Sequence, residues 1–127
     1  MMPVTPGLIL DLLGRAVSLK DESDWTPYRA GVHIRWLYQC AEGPAAALLR
    51  YQANASVPFH EHVGYEHILV LDGEQSDERG RYPTGTLIIN APGSRHQVRS
   101  EAGCVVLIIW ERAVRILSEP AGVPPTA

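Results

Sequence analysis

Residues 58–67 read PFHEHVGYEH, and this stretch decides the predicted fold. One residue separates His60 from His62. Side chains at i and i+2 of a β-strand point to the same face, so both imidazoles can project into one interior. The link at 63–65 is short enough to fold back into the next strand, which would bring Glu66 beside them. We therefore predict two connected strands that gather two imidazoles and a carboxylate.

A third imidazole is expected from a later strand. His96 follows residues 92–94 (PGS), a sequence typical of a sharp turn. Imidazole binds Fe, Mn, Ni, Cu or Zn, and a carboxylate adds a hard oxygen donor, so the combination predicts a divalent transition-metal site. His67 is out of phase with Glu66, and we expect it to face away as a structural or surface residue. His33 is isolated from the other histidines in the sequence, and we assign it no role. Each histidine taken alone fits a surface or structural position, so the metal prediction depends on their joint occurrence.

The remainder of the chain is rich in strand-like segments between turn residues. Of 127 residues 46% are hydrophobic, which argues against disorder, while 11 Gly and 10 Pro argue against a helical bundle. The segments that fit short strands are residues 32–38, 45–52, 68–71, 86–89, 95–99 and 104–110. Residues 21–30 read as a connection and residues 76–85 as a loop or short hairpin. The pattern predicts a single all-β domain, a sandwich or small barrel.

The two ends of the chain differ from this central part. Residues 1–20 form an N-terminal segment in which 7–17 can adopt a short helix. We place the domain at 21–118 and a flexible tail at 119–127, where prolines recur. Several strands are apolar on both faces, so their outer face needs cover from the N-terminal segment, a second sheet or another subunit. We expect a homodimer for this reason.

Composition also excludes several classes of partner. The net charge of −3 argues against nucleic-acid binding, which needs a basic face. The longest apolar run, residues 104–110, is far shorter than the roughly 18 residues of a membrane-spanning helix. No signal-peptide pattern is present, and we expect a cytoplasmic protein. Cys40 and Cys104 are too few for a disulfide framework and are predicted to be buried thiols.

The histidine segments resemble the two motifs of the cupin superfamily. Residues 58–73 match the first motif, His-x-His followed by a Glu and then a Gly, and residues 85–96 match the second, in which Pro-Gly-x-x-His follows a Gly. Residues 73–85 and 91–96 are more closely similar to the ChrR-type cupins, a group that includes anti-sigma factor domains and is similar to acetylacetone-cleaving dioxygenases. This resemblance implies a jelly-roll β-barrel.

The resemblance also implies a ligand set. Carried over residue by residue, the metal ligands are His60, His62, Glu66 and His96. Two positions depart from the ChrR-type pattern: His67 stands where a second Glu is usual, and Ala91 replaces the first Pro of a Pro-Pro-Gly. Neither departure removes a ligand, although the first can change the surroundings of the metal.

Three functions are compatible with such a site. The first is a mononuclear non-haem dioxygenase that binds one divalent ion per chain, iron by preference, and acts on a small enolisable or phenolic carbonyl compound. The second is a non-catalytic metal- or ligand-sensing cupin related to ChrR-type regulators. The third is an isomerase or hydrolase that uses Zn or Mn, and Ni is also possible as the metal. Tyr51, Trp36 and Trp110 are candidates for a substrate pocket, although core packing is the simpler role for each. We cannot assign a catalytic base from the sequence.

Overall fold

The computed structural model describes residues 7–117, and these residues form a curled antiparallel β-structure with one helix. The elements of this part of the chain are α1 (Leu12–Leu19), β1 (Thr26–Arg29), β2 (Val32–Gln39), β3 (Ala45–Tyr51), β4 (Ala55–Glu61), β5 (Glu66–Asp77), β6 (Gly80–Pro83), β7 (Leu87–Asn90), β8 (Arg95–Ser100), β9 (Cys104–Trp110) and β10 (Arg115–Ile116). The prediction of an all-β jelly roll is therefore confirmed. The predicted tail at 119–127 lies outside the described residues.

The long strand β5 joins the two halves of the barrel. Its first part pairs with β9 and β7, and β9 continues through β3 and β2 to the edge strand β1. Its last part pairs with β6 and, through one residue pair, with β8, which continues through β4 to β10. Residues 76–85, predicted as a loop or a short hairpin, contain the end of β5, the turn at 78–79 and β6, so the hairpin is the observed alternative. Residues 21–30, interpreted as a connection, instead contain β1, where Pro27 is tolerated because the strand lies at an edge.

Two apolar layers hold the fold together. Inward-facing side chains of both halves form the barrel core, for example Val32, Ile68 and Val106. The outer face of the larger half forms a second layer with α1, in which Leu19 and Trp25 are buried against the sheet. The N-terminal segment thus supplies part of the expected outer cover.

The helix does not span residues 7–17 as predicted but runs from Leu12 to Leu19. Asp11 precedes it in a left-handed conformation, and Ala16 and Leu19 are buried on the sheet. Burial of this face outweighs the weak helix preference of Val17 and Ser18, because tertiary packing supplies most of the stability of short helices. No helix within 7–117 has the length and apolar character needed to cross a bilayer.

The prediction that both cysteines are buried is wrong for one of them. Cys104 is buried, but Cys40 is exposed at the end of β2. Cys40 follows β2 next to the turn at 41–44 and lines an open cavity, so its thiol is exposed.

Candidate metal centre

Three imidazole rings meet inside the smaller half of the barrel. His60 on β4 stands opposite His96 on β8 in the strand register, and His62 follows directly after β4. The ring centroid of His60 lies 5.1 Å from that of His62 and 4.7 Å from that of His96. The ring centroids of His62 and His96 are also 4.7 Å apart. All three side chains are buried. The tertiary structure therefore brings together the three predicted histidines.

Each imidazole is oriented by a hydrogen bond at Nδ1. Nδ1 of His60 lies 2.7 Å from the carbonyl oxygen of Pro58, and Nδ1 of His62 lies 3.1 Å from the carbonyl oxygen of Ser94. Nδ1 of His96 lies 2.9 Å from a carboxylate oxygen of Asp77. Carbonyl and carboxylate oxygens only accept, so the rings of His60 and His96 carry their proton on Nδ1 and keep the lone pair on Nε2. His62 differs, because its Nδ1 also lies 2.9 Å from the hydroxyl of Ser94, which can donate, and its Nε2 faces a carboxylate oxygen of Glu66.

The free nitrogens fit a metal ion. One ring nitrogen of each histidine lies within 4.8 Å of the other two. Nε2 of His96 is buried and has no hydrogen-bond partner among the described residues, and Nε2 of His62 is buried with an oxygen of the Glu66 carboxylate 3.1 Å away. Buried polar atoms are nearly always satisfied, so the unpartnered nitrogen of His96 beside two other imidazoles requires an explanation. A divalent cation supplies one, because neutral imidazole nitrogens are among its commonest ligands.

Glu66 lies beside this cluster at the start of β5. Its Oε1 is 3.1 Å from Nε2 of His62 and accepts a hydrogen bond of 3.0 Å from Nδ2 of Asn90, the residue opposite it on β7. Burial raises the pKa of Glu66, but the neighbouring imidazoles, His62 first, lower it by more, and the net shift is downward. The side chain is therefore a buried carboxylate next to three imidazoles, as the ligand prediction requires.

Burial also keeps His60 neutral. Desolvation lowers the pKa of His60 to about 4, despite the opposing hydrogen bond to the Pro58 carbonyl. A neutral imidazole is the form that binds metal ions. His60 is thus prepared for coordination at neutral pH.

A charged network on the β5–β6 hairpin supports the cluster, and the sequence did not reveal it. Asp77 accepts hydrogen bonds from His96, from the hydroxyl of Tyr82 at 2.6 Å and from the guanidinium of Arg79 at 3.0 Å. Partial burial raises the pKa of Asp77, but these donors outweigh it and hold the pKa well below its ordinary range. Arg79 also donates to Oδ1 of Asn90 at 3.2 Å. The network therefore runs from Glu66 through Asn90, Arg79 and Asp77 to His96.

His67 faces away from this cluster, as predicted. It is half-buried on the outer side of the sheet, where it lines a shallow groove with Tyr65 and Ile89. His33 is also remote in the fold, because it pairs with Arg50 of β3 and Pro27 of the edge strand.

A small cavity borders the cluster, and a larger one shares part of its lining. The inner one has a volume of about 30 Å³ and touches His60 and Glu66. The outer one has a volume of about 530 Å³ at the barrel mouth. Four residues line both cavities: Tyr28, Arg29, Trp110 and Val114. His60 and Glu66 therefore border the small inner cavity, which shares four wall residues with a chamber of the size that small-molecule ligands occupy.

Comparison with solved structures supports the fold. The chain matches ChrR, the anti-sigma factor in complex with SigE from Rhodobacter sphaeroides, with 29% identity and a TM-score of 0.62 over 71% of this chain and 49% of that chain. It therefore spans about half the length of ChrR.

Two oxygenase-like neighbours have lower sequence identity. An acetylacetone dioxygenase from Acinetobacter johnsonii matches with 13% identity and a TM-score of 0.70, covering 83% of this chain and 81% of that chain. A candidate acetylacetone dioxygenase from Methylibium petroleiphilum PM1 matches with 19% identity and a TM-score of 0.72, covering 86% and 83%. These two likenesses show the fold alone.

No curated protein sequence matches the chain. The family model for the ChrR cupin-like domain, in contrast, matches residues 14–113, which is most of the chain. With the barrel and the histidine cluster in place, this match shows that the chain belongs to the ChrR cupin-like family.

Proposed function

We propose that this chain is a mononuclear non-haem metal dioxygenase that acts on a small enolisable or phenolic carbonyl compound. The observation that carries the proposal is the set of three buried imidazoles, each with a ring nitrogen within 4.8 Å of the other two, beside the buried Glu66 carboxylate. Structural zinc sites are closed and usually rich in thiolate, whereas this donor set has no thiolate and borders a small cavity at His60 and Glu66.

Four side chains would hold the ion: His60, His62, His96 and Glu66. Three neutral imidazoles and one carboxylate leave a net charge near +1 with a divalent cation, which favours an anionic substrate. A bound ion supplies charge stabilisation to a substrate oxyanion and, if it is iron, redox capacity for reaction with O₂. The protein contributes orientation through Asp77 and Asn90, which hold His96 and Glu66. Glu66 is a proposed ligand and is therefore a poor candidate for a general base.

Metal analysis together with oxygen consumption tests this function. The purified protein is expected to contain about one divalent ion per chain. After anaerobic loading with Fe²⁺, it is expected to consume O₂ in the presence of β-diketones or hydroxylated aryl ketones, and His62→Ala is expected to abolish both metal retention and O₂ uptake. Tight retention of Zn²⁺ without O₂ uptake on any of these compounds would overturn the enzymatic proposal.

That contrary outcome would favour the second candidate, a metal- or ligand-sensing cupin. The observation in its favour is the likeness to ChrR, at 29% identity the highest of the three structural matches described above. In this case we expect the binding of a metal ion or a ligand to change the association state of the protein. Size-exclusion chromatography with light scattering, with and without Zn²⁺, measures such a change.

We also propose a homodimer in which the uncovered outer sheet face and the exposed apolar segment at residues 8–13 are buried. Leu87, Ile89, Ile109 and Tyr65 are exposed on or next to this face. Contiguous exposed apolar side chains are typical of interaction surfaces. Sedimentation at micromolar concentration is expected to give a dimer, and a monomer would contradict the proposal.

A further inference from the structure

The turn in front of β8 is hydrogen-bonded to the backbone of His62. The N–H of His62 donates to the carbonyl oxygen of Ser94 at 2.9 Å, and the N–H of Gly93 donates to the carbonyl oxygen of His62 at 2.8 Å. Gly93 has φ +87°, a left-handed conformation that glycine adopts without steric cost. The main chain therefore holds Ser94 directly beside the imidazole of His62.

The hydroxyl of Ser94 lies between a carbonyl oxygen and this imidazole. Its Oγ donates to the carbonyl oxygen of Ala91 at 2.6 Å and lies 2.9 Å from Nδ1 of His62. A serine hydroxyl has only one proton, so a hydroxyl that donates to Ala91 is left to accept from Nδ1. The carbonyl oxygen of Ser94, 3.1 Å from the same nitrogen, is a second acceptor. Both neighbours of Nδ1 therefore favour a proton on that nitrogen.

The other neutral tautomer of His62 fits these contacts less well. With the proton on Nε2, the Ser94 hydroxyl would have to donate to Nδ1, and its oxygen and that of Ala91 would face each other without a proton between them. The lone pair of Nδ1 would also face the Ser94 carbonyl oxygen. The gain would be one hydrogen bond from Nε2 to Oε1 of Glu66, an oxygen that already accepts from Asn90 at 3.0 Å.

From these contacts we infer that Ser94 is a positioning residue that keeps the proton of His62 on Nδ1 and so leaves the Nε2 lone pair facing the Glu66 carboxylate. A lone pair and a carboxylate oxygen 3.1 Å apart, with no proton between them, attract a cation to that place. The inference rests on the proposed function only for the ion that would bind there. The position of the proton is a property of the chain itself.

Nuclear magnetic resonance of the imidazole nitrogens measures this tautomer. The metal-free, isotope-labelled full chain is studied at about pH 9, above the range in which imidazoles titrate, and the His62 signals are assigned by comparison with His62→Ala. We expect the proton on Nδ1 in the wild-type protein. In Ser94→Ala we expect a larger share of molecules with the proton on Nε2, because the carbonyl oxygen is then the sole acceptor left at Nδ1. A wild-type ring protonated on Nε2 would overturn the inference.

Zinc affinities of matched serine variants measure the consequence. In competition with a chelator, Ser94→Ala is expected to bind Zn²⁺ about tenfold more weakly than the wild type. Ser94→Thr keeps the hydroxyl and is expected to retain the affinity. Ser18→Ala is the control, because Ser18 also donates to the carbonyl oxygen three residues earlier, that of Arg15 at 3.0 Å, but lies on α1. Equal affinities of Ser94→Ala and Ser18→Ala, or equal losses in Ser94→Ala and Ser94→Thr, would contradict the role of the hydroxyl.

The two measurements separate this inference from the proposed function. If the wild-type protein does not retain zinc, the proposed metal site fails, and the His62 tautomer in metal-free protein decides the inference. Zinc binding with the expected serine effects, but without O₂ uptake by the Fe²⁺-loaded protein, would remove the dioxygenase and leave Ser94 as a positioning residue. If circular dichroism shows that Ser94→Ala does not fold, the wild-type tautomer and the affinity of Ser94→Thr decide.

Discussion

Oδ2 of Asp77 lies 2.9 Å from Nδ1 of His96, although the two residues belong to different strands of the barrel. Asp77 ends β5 at the tip of the hairpin, and its position over His96 follows from the way β5 crosses from one half of the barrel to the other. A carboxylate in this position fixes the tautomer of the imidazole and increases its basicity.

Asp77→Asn is expected to lower the affinity for a divalent metal about 10- to 100-fold, because the imidazole loses its charged partner. Competition with a chelator of known affinity measures the change. Glu78→Gln is a matched control on the same hairpin, since Glu78 accepts hydrogen bonds only from the backbone N–H of Gln97 among the contacts described. Identical affinities of the two variants would show that Asp77 does not support the metal.

His62→Ala is expected to remove most of the bound metal, whereas His67→Ala is expected to leave it nearly unchanged. His62 is 1% exposed within the cluster, and His67 lies on the opposite side of the sheet. Plasma emission analysis of the purified variants gives the metal content per chain. Similar losses in both would mean that the ion binds elsewhere.

Gly73→Ala is expected to destabilise the protein by roughly 2–4 kcal/mol. Gly73 has φ +81°, and a Cβ built there would collide with the carbonyl oxygen of Gly103, so the backbone would have to shift. Urea unfolding monitored by circular dichroism measures the change. Gly43→Ala is the control, because its Cβ would make only ordinary contact with Cys40 at 3.6 Å; a comparable loss at Gly43 would refute the explanation.

Leu19→Ala is expected to cost about 2–5 kcal/mol in the free energy of unfolding, since Leu19 is fully buried between α1 and the sheet. Leu13→Ala, on the exposed side of the same helix, is expected to change it by less than about 0.5 kcal/mol. Both values come from denaturant titration at a protein concentration where the oligomeric state is known. A large effect at Leu13 that depends on protein concentration would place this side of the helix in a subunit interface.

Only Cys40 is expected to react with iodoacetamide in the native protein at pH 8. Burial raises the pKa of the Cys104 thiol to about 12, and the thiolate is the reactive form, so Cys104 is both inaccessible and protonated. Mass spectrometry is expected to show one adduct before denaturation and two after it. Two adducts on the native protein would indicate that the end of the barrel near Cys104 opens readily.

The local pattern of the chain was sufficient for the fold class and for the meeting of three histidines. His60 and His62 share a strand face, and the glycine and proline turn before His96 returns the chain to the same side, so local rules of strand geometry predicted the cluster. The orientation of His67 followed from the same alternation. The first and last residues of the helix could not be predicted from the local pattern, because α1 is stabilised more by the sheet that it covers than by the helix propensities of its residues.

Contacts between distant segments required the folded chain. Neither the approach of Asp77 to His96 nor the hydrogen bond from Asn90 to Glu66 has a signature in the sequence, since each depends on where β5 bends and which strand becomes its neighbour. The exposure of Cys40 and the position of Arg29 between the two cavities likewise depend on how the barrel closes. Residue type and spacing by themselves determined which side chains can donate to a metal and predicted a shared face for His60 and His62. The curvature of the sheet, which sums small twists over many strands, decided which side chains surround the histidines and Glu66.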